Sequence, residues 1–182
     1  MQIAVLLTPG FLESEAALVL EVARIWAQND SGIEAFTIAK ARNSLQGAGG
    51  SVWTPKLTFM SRDPIEILVI PGGQTMAKSG RDPAIQSWLA QTWPNLKQVF
   101  LGSNAPVMLA EAGLCPTKVA AHPRAEETLA SFGIKLMADS IFEQDKIIST
   151  RGQMALVQSL IQALAPSRLR TTLVQSLGIP LD

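Results

Sequence analysis

Val99–Phe100–Leu101–Gly102–Ser103–Asn104–Ala105–Pro106–Val107–Met108–Leu109–Ala110 is an apolar run that halts at Gly–Ser and resumes at once with helical spacing. The run predicts a strand that turns sharply into a helix. Such a turn lifts its tip side chain clear of the sheet and aims backbone N–H groups at whatever sits beside it. The tip residue is Ser103, the first candidate nucleophile. Ala105 stands where the second glycine of a G-x-S-x-G hydrolase elbow would be, so the generic motif is incomplete.

On either side of the elbow, short β-rich runs alternate with helical patterns. Ile3–Leu7 reads as a buried strand, Glu13–Gln28 as a helix with a broad apolar face, and Ile33–Ala39 as the next strand. Glycines 47, 49 and 50 between Leu45 and Val52–Trp53 suggest a hairpin or a bulged ribbon. Ile65–Ile70 is a strand ending at Pro71–Gly72–Gly73, and Asp82–Pro83 opens a helix that runs to about Trp93. The elbow helix runs to about Gly113, followed by a short strand at Lys118–Ala121 that leads to His122–Pro123. A helix at Arg124–Ser131, a strand at Ile134–Met137 and a hairpin ending in Ile147–Ser149 come next. Helices at Met154–Leu164 and Ser167–Leu177 close the pattern. Strands alternating with helices predict an α/β fold, a mostly parallel sheet with helices on both faces.

Composition bounds the function classes. The 182 residues suit one domain with one substantial core, and 47% hydrophobic against 16% charged content describes a well-packed globular chain. Fifteen basic and fifteen acidic residues balance without a long single-sign run, which argues against a nucleic-acid surface or a polybasic membrane anchor. No apolar run reaches the roughly 20 residues of a membrane span, and the start lacks a signal-peptide pattern. One cysteine, Cys115, excludes an internal disulfide and suits a reducing cytoplasm. With one histidine beside it, no metal site is expected, and no cofactor.

In parallel sheets the ligand crevice lies at the carboxyl ends of the strands. Glu15, Gly72–Gly73, Ser103 and His122 all map there. Each has two readings. A serine hydroxyl needs a base, and His122 is the sole imidazole, yet a lone histidine is also a common structural residue. Glu15 fits either a helix-capping carboxylate or a partner for the elbow hydroxyl. Gly72–Gly73 fits either an oxyanion-hole N–H or an ordinary strand-ending turn. Cys115 follows a helix end in apolar surroundings and reads as a packed residue.

These residues together resemble the ThiJ/PfpI superfamily, the single-domain branch of the class I glutamine amidotransferase-like fold. The landmarks are Gly10–Phe11 through Glu15, Val69–Ile70–Pro71–Gly72–Gly73, and the elbow continued by Leu109–Ala110–Glu111–Ala112–Gly113–Leu114. Further on stand Lys118–Val119–Ala120–Ala121–His122–Pro123 and Ile147–Ile148–Ser149–Thr150–Arg151–Gly152. The resemblance covers nearly the whole chain, read as a single domain over residues 1–182. It implies a flavodoxin-like three-layer sandwich and a homodimer, an assembly that four tryptophans also suit. It further implies a site in which an elbow cysteine lies close to a carboxyl five residues after the first-loop glycine. Those positions are Ser103 and Glu15 here, with His122 and the Thr150–Arg151–Gly152 turn beside them, Arg151 and Asn104 being candidate ligand contacts. Serine in place of cysteine disarms that chemistry, because a hydroxyl is far less acidic than a thiol.

Three functions follow. The first is a protein that keeps the family pocket and binds or senses a small molecule without a cysteine nucleophile. The second is a serine-dependent hydrolase or amidase using Ser103, His122 and Glu15, with Asn104 and Gly72–Gly73 amides as oxyanion donors. The third is a regulatory interaction module, since relatives form the sensor half of AraC-type regulators. Whether the chain is an enzyme stays open at this level.

Overall fold

Every residue of Ile67–Ile70 is buried, the mark of a strand covered on both faces. The computed structural model describes residues 1–179. In chain order the elements are β1 (Gln2–Leu6), α1 (Glu13–Asn29), β2 (Glu34–Ala39), β3 (Leu45–Gln46), β4 (Val52–Trp53) and β5 (Leu57–Thr58). Then come β6 (Ile67–Ile70), α2 (Met76–Gly80), α3 (Pro83–Thr92), β7 (Gln98–Leu101), α4 (Pro106–Glu111) and β8 (Lys118–Val119). The remainder is α5 (Glu126–Ser131), β9 (Lys135–Leu136), β10 (Ile141–Gln144), β11 (Ile147–Thr150), α6 (Gln153–Leu164) and α7 (Ser167–Leu177).

Seven strands form one sheet in the order β10-β11-β7-β6-β1-β2-β5. All its neighbours pair parallel except the hairpin β10–β11. Alternation along the strands divides the apolar residues between two cores. Ile3, Val5, Ile67, Val69 and Phe100 pack with α1, α6 and α7, whereas Ala4, Leu6, Leu68, Ile70, Val99 and Leu101 pack with α3, α4 and α5. This is the α/β sandwich that the alternation of elements predicts, in the flavodoxin-like form that the resemblance implies.

Asp82 caps α3 as its sequence suggests, its carboxylate accepting from the Ala84 N–H at 2.8 Å. Several details depart from the sequence reading, the edge strand β5 among them. The short helix α2 is unforeseen. The Arg124–Ser131 helix begins as a 3-10 turn over Pro123–Ala125. The Lys118–Ala121 strand shrinks to β8, which pairs parallel with β9 in a separate two-stranded ribbon. His122 therefore does not follow a strand of the main sheet. The ribbon is tied to the sheet by Ser149, whose Oγ accepts from the Ala120 N–H at 2.9 Å.

Among the described residues, no helix is long and apolar enough to cross a membrane.

Candidate functional site

The elbow forms where the sequence predicts it. Strand β7 ends at Leu101, the Gly102 N–H donates to the Ile70 carbonyl, and the Ala105 N–H returns to the Gly102 carbonyl at 2.8 Å. Ser103 sits at the tip with φ 34°, one of two non-glycine residues at positive φ among those described. That region is sparsely allowed for a side-chain-bearing residue and costs of order 1–3 kcal/mol when occupied. The neighbours that hold it there are buried: Thr150 donates its hydroxyl to the Leu101 carbonyl at 2.9 Å.

Glu15 lies in the first turn of α1, yet its side chain does not cap that helix. The chain between β1 and α1 is laced to the loop after β6, with the Leu12 N–H on the Gly72 carbonyl and the Gln74 N–H on the Gly10 carbonyl, both 2.8 Å. This lacing turns the Glu15 carboxyl inward until only 1% of the residue is exposed. The Ser103 hydroxyl donates to Glu15 Oε1 at 2.5 Å, and the Gly72 N–H donates to Oε2 at 2.7 Å. Gly102 makes room for this approach, since a Cβ there would lie 2.0 Å from Glu15 Oε2. Burial pushes the Glu15 carboxyl above its ordinary range, against the Ser103 and Gly72 hydrogen bonds that pull it down.

Asn104 is locked by a reciprocal pair. Its Oδ1 accepts from the Gly73 N–H at 2.8 Å and its Nδ2 donates to the Gly73 carbonyl at 2.8 Å. Both glycine amides raised as oxyanion donors are therefore occupied, Gly72 by Glu15 and Gly73 by Asn104. The Ser103 and Asn104 amides, in contrast, have no acceptor among the described residues.

His122 joins the elbow through its backbone, donating its N–H to the Ser103 carbonyl at 3.0 Å. Its ring caps the following 3-10 turn: Nδ1 accepts from the Arg124 N–H at 3.3 Å. A neutral imidazole that accepts at Nδ1 carries its proton on Nε2. The remaining nitrogen is thus a donor, and the ring has no free lone pair to take a proton from Ser103.

A cavity of about 450 Å³ opens beside the elbow, lined by Ser103, Asn104, Gly73 and His122 together with Leu12, Gln74, Met76, Ala77, Val107, Arg124, Ala125 and Thr128. The fold thus brings together Ser103, Asn104, Gly73 and His122 at one cavity, with Glu15 and Gly72 immediately behind Ser103. Arg151 is not among the lining residues. Its Nη2 donates to the Met137 carbonyl at 3.0 Å. The turn following it does reach the site, for a Cβ on Gly152 would sit 4.0 Å from Ser103 Oγ. Arg124 carries no sequence signal of its own and was found only through its place on the cavity wall.

Elsewhere, burial raises the Cys115 thiol to about 12. Among the described residues, no group of three His, Cys, Asp or Glu side chains is arranged to hold a metal ion.

Comparison with known proteins places this geometry. No curated protein matches the sequence. Among solved structures, a ThiJ/PfpI family protein from Pseudomonas syringae superposes with a TM-score of 0.85 at 19% identity, over 100% of this chain and 76% of the other. Drosophila melanogaster DJ-1beta gives 0.85 at 17% identity, covering 99% of this chain and 98% of its own. Schizosaccharomyces pombe DJ-1 gives 0.82 at 14% identity, covering 99% and 100%. At these identities the likeness establishes the shared fold. The sequence itself matches the model of the DJ-1/PfpI family over residues 1–165, and the chain belongs to that family.

Proposed function

We propose that this chain is a small-molecule binding or sensing member of its family, in which Ser103 stands at the position of the family's cysteine nucleophile. The observation that carries the reading is that the Ser103 hydroxyl is spent on the buried Glu15 carboxyl at 2.5 Å, while Nδ1 of the one imidazole is engaged by the Arg124 N–H. A hydroxyl is far less acidic than a thiol, and a carboxylate is a weak base for it. The one imidazole present offers Nε2–H rather than a lone pair. A nucleophile without a base leaves an ordered pocket whose polar groups recognise a ligand.

The serine-hydrolase reading retains one favourable observation, the unengaged Ser103 and Asn104 amides beside the hydroxyl. Against it stand the occupied Gly72 and Gly73 amides and the His122 tautomer. The resemblance also supports a homodimer, which light scattering at micromolar concentration tests directly.

The binding reading is tested by thermal shift against a panel of small carbonyl compounds, amides and carboxylates. A stabilising ligand whose effect disappears in Thr128→Trp, where an exposed wall residue is enlarged to fill the cavity, supports it. A panel that leaves Tm unmoved throughout contradicts it.

A further inference from the structure

We propose that the cavity takes a small monocarboxylate, its carboxylate paired with Arg124 and its apolar tail laid along Leu12, Met76 and Val107. This rests on the binding-pocket reading and adds the charge and polarity of the ligand.

Around the cavity, Arg124 and His122 offer donors without partners, and Gln74, Ser103 and Thr128 add amide and hydroxyl groups. Arg124 is the only arginine or lysine on its wall, and its guanidinium makes no hydrogen bond or ion pair among the described residues. Arg24, Arg81 and Arg168, by contrast, are each paired to a carboxylate. The His122 ring accepts at Nδ1, which leaves Nε2–H to donate. The side-chain acceptor Asn104 Oδ1 is taken by the Gly73 N–H. No aspartate or glutamate lines the cavity. Glu15 lies behind Ser103 and accepts its hydroxyl, and Glu126 and Glu127 stand exposed at the start of α5 without lining the cavity. Arg124 is thus the one charged side chain on the cavity wall, and a planar carboxylate matches the fork of its guanidinium.

Part of the wall is apolar. Met76 and Val107 are buried in the core, and Leu12 and Ala125 complete a surface without polar atoms to satisfy. A carboxylate head with a hydrocarbon tail meets both the guanidinium and these apolar side chains, whereas a cationic head would face Arg124 with like charge.

The test is isothermal titration of hexanoate and of hexanamide into the full chain and into Arg124→Gln and Arg124→Lys. Acid and amide share shape and tail and differ in charge. A charge-assisted hydrogen bond to the guanidinium predicts hexanoate binding roughly tenfold tighter than hexanamide. That preference shrinks in Arg124→Lys and vanishes in Arg124→Gln. Arg124 is exposed and its side chain holds nothing in the fold, so both variants keep the parent's Tm. Equal binding of acid and amide by the parent overturns the proposal while leaving the pocket reading intact. A preference for the acid that survives in Arg124→Gln overturns the role of Arg124. Binding of neither probe overturns the monocarboxylate assignment, and the panel above then decides whether the pocket reading falls with it.

Discussion

The carboxyl of Glu15 and the hydroxyl of Ser103 meet at 2.5 Å although 88 residues separate them in the chain. The contact joins the first turn of α1 to the tip of the elbow, in the interior and beside the cavity. It exists because the loops after β1 and β6 are laced together and because Gly102 carries no side chain.

The first prediction concerns pH. Burial raises the native Glu15 carboxyl above the ordinary value of 4.5. Once pH passes that value, the unfolded chain releases a proton that the native state still holds. Stability from this group therefore falls as pH rises through the native value and then levels off. Glu15→Gln removes that titration while keeping the shape. Its Tm relative to the parent is expected to climb as pH rises above 4.5 and then to level off. A difference that stays flat across the range contradicts the assignment.

Gly102→Ala tests the packing behind the contact. The added Cβ would lie 2.0 Å from Glu15 Oε2 and 2.7 Å from its Cδ. Either the carboxyl or the strand end must move, at a cost of roughly 1–3 kcal/mol. Urea denaturation reads this as a lower midpoint at unchanged m-value. An unchanged midpoint would show that Glu15 has free space to retreat.

Asn104→Ala leaves the N–H and carbonyl of Gly73 without their side-chain partners. The expected loss is about 1–3 kcal/mol, together with faster hydrogen exchange at the Gly73 amide. Asn104→Asp, which keeps an acceptor for the N–H and lacks the donor, falls between parent and Ala. Protection at Gly73 that survives in the Ala variant would contradict the lock.

Cys115 is expected to resist alkylation, since burial raises its thiol to about 12 and little thiolate exists at neutral pH. Iodoacetamide at about pH 8 leaves the parent unmodified. Ser103→Cys, with a sulfur at the elbow tip on the cavity wall, gains one adduct. Labelling of the parent at a comparable rate contradicts this account of Cys115.

Much of the fold was legible because period-2 and period-3.6 patterns are local. β1, α1, the hairpin β3–β4, α3 and α7 fall where the periodicity puts them. Neighbour relations are not local, so the Lys118–Ala121 run gave no sign that it would pair with Lys135–Leu136 instead of joining the main sheet. At the site, the elbow was legible from one abrupt break in an apolar run, and Glu15 from its place after a strand end. The engagement of the Gly72 and Gly73 amides was not, because it depends on side chains arriving from α1 and the elbow. Arg151 shows the limit of proximity in sequence. Its neighbours Thr150 and Gly152 reach toward the elbow, while its own side chain leaves for the Met137 carbonyl. Arg124, an exposed charge at a turn, became meaningful only once the cavity wall was seen.

The central claim is that Ser103 is held by Glu15 and His122 without being activated. Intact-protein mass after exposure to a reactive fluorophosphonate, with Ser103→Ala alongside, tests it most directly. The account predicts the unmodified mass for both proteins. A stoichiometric adduct on the parent that is absent from Ser103→Ala would contradict it and give the hydrolase reading the lead.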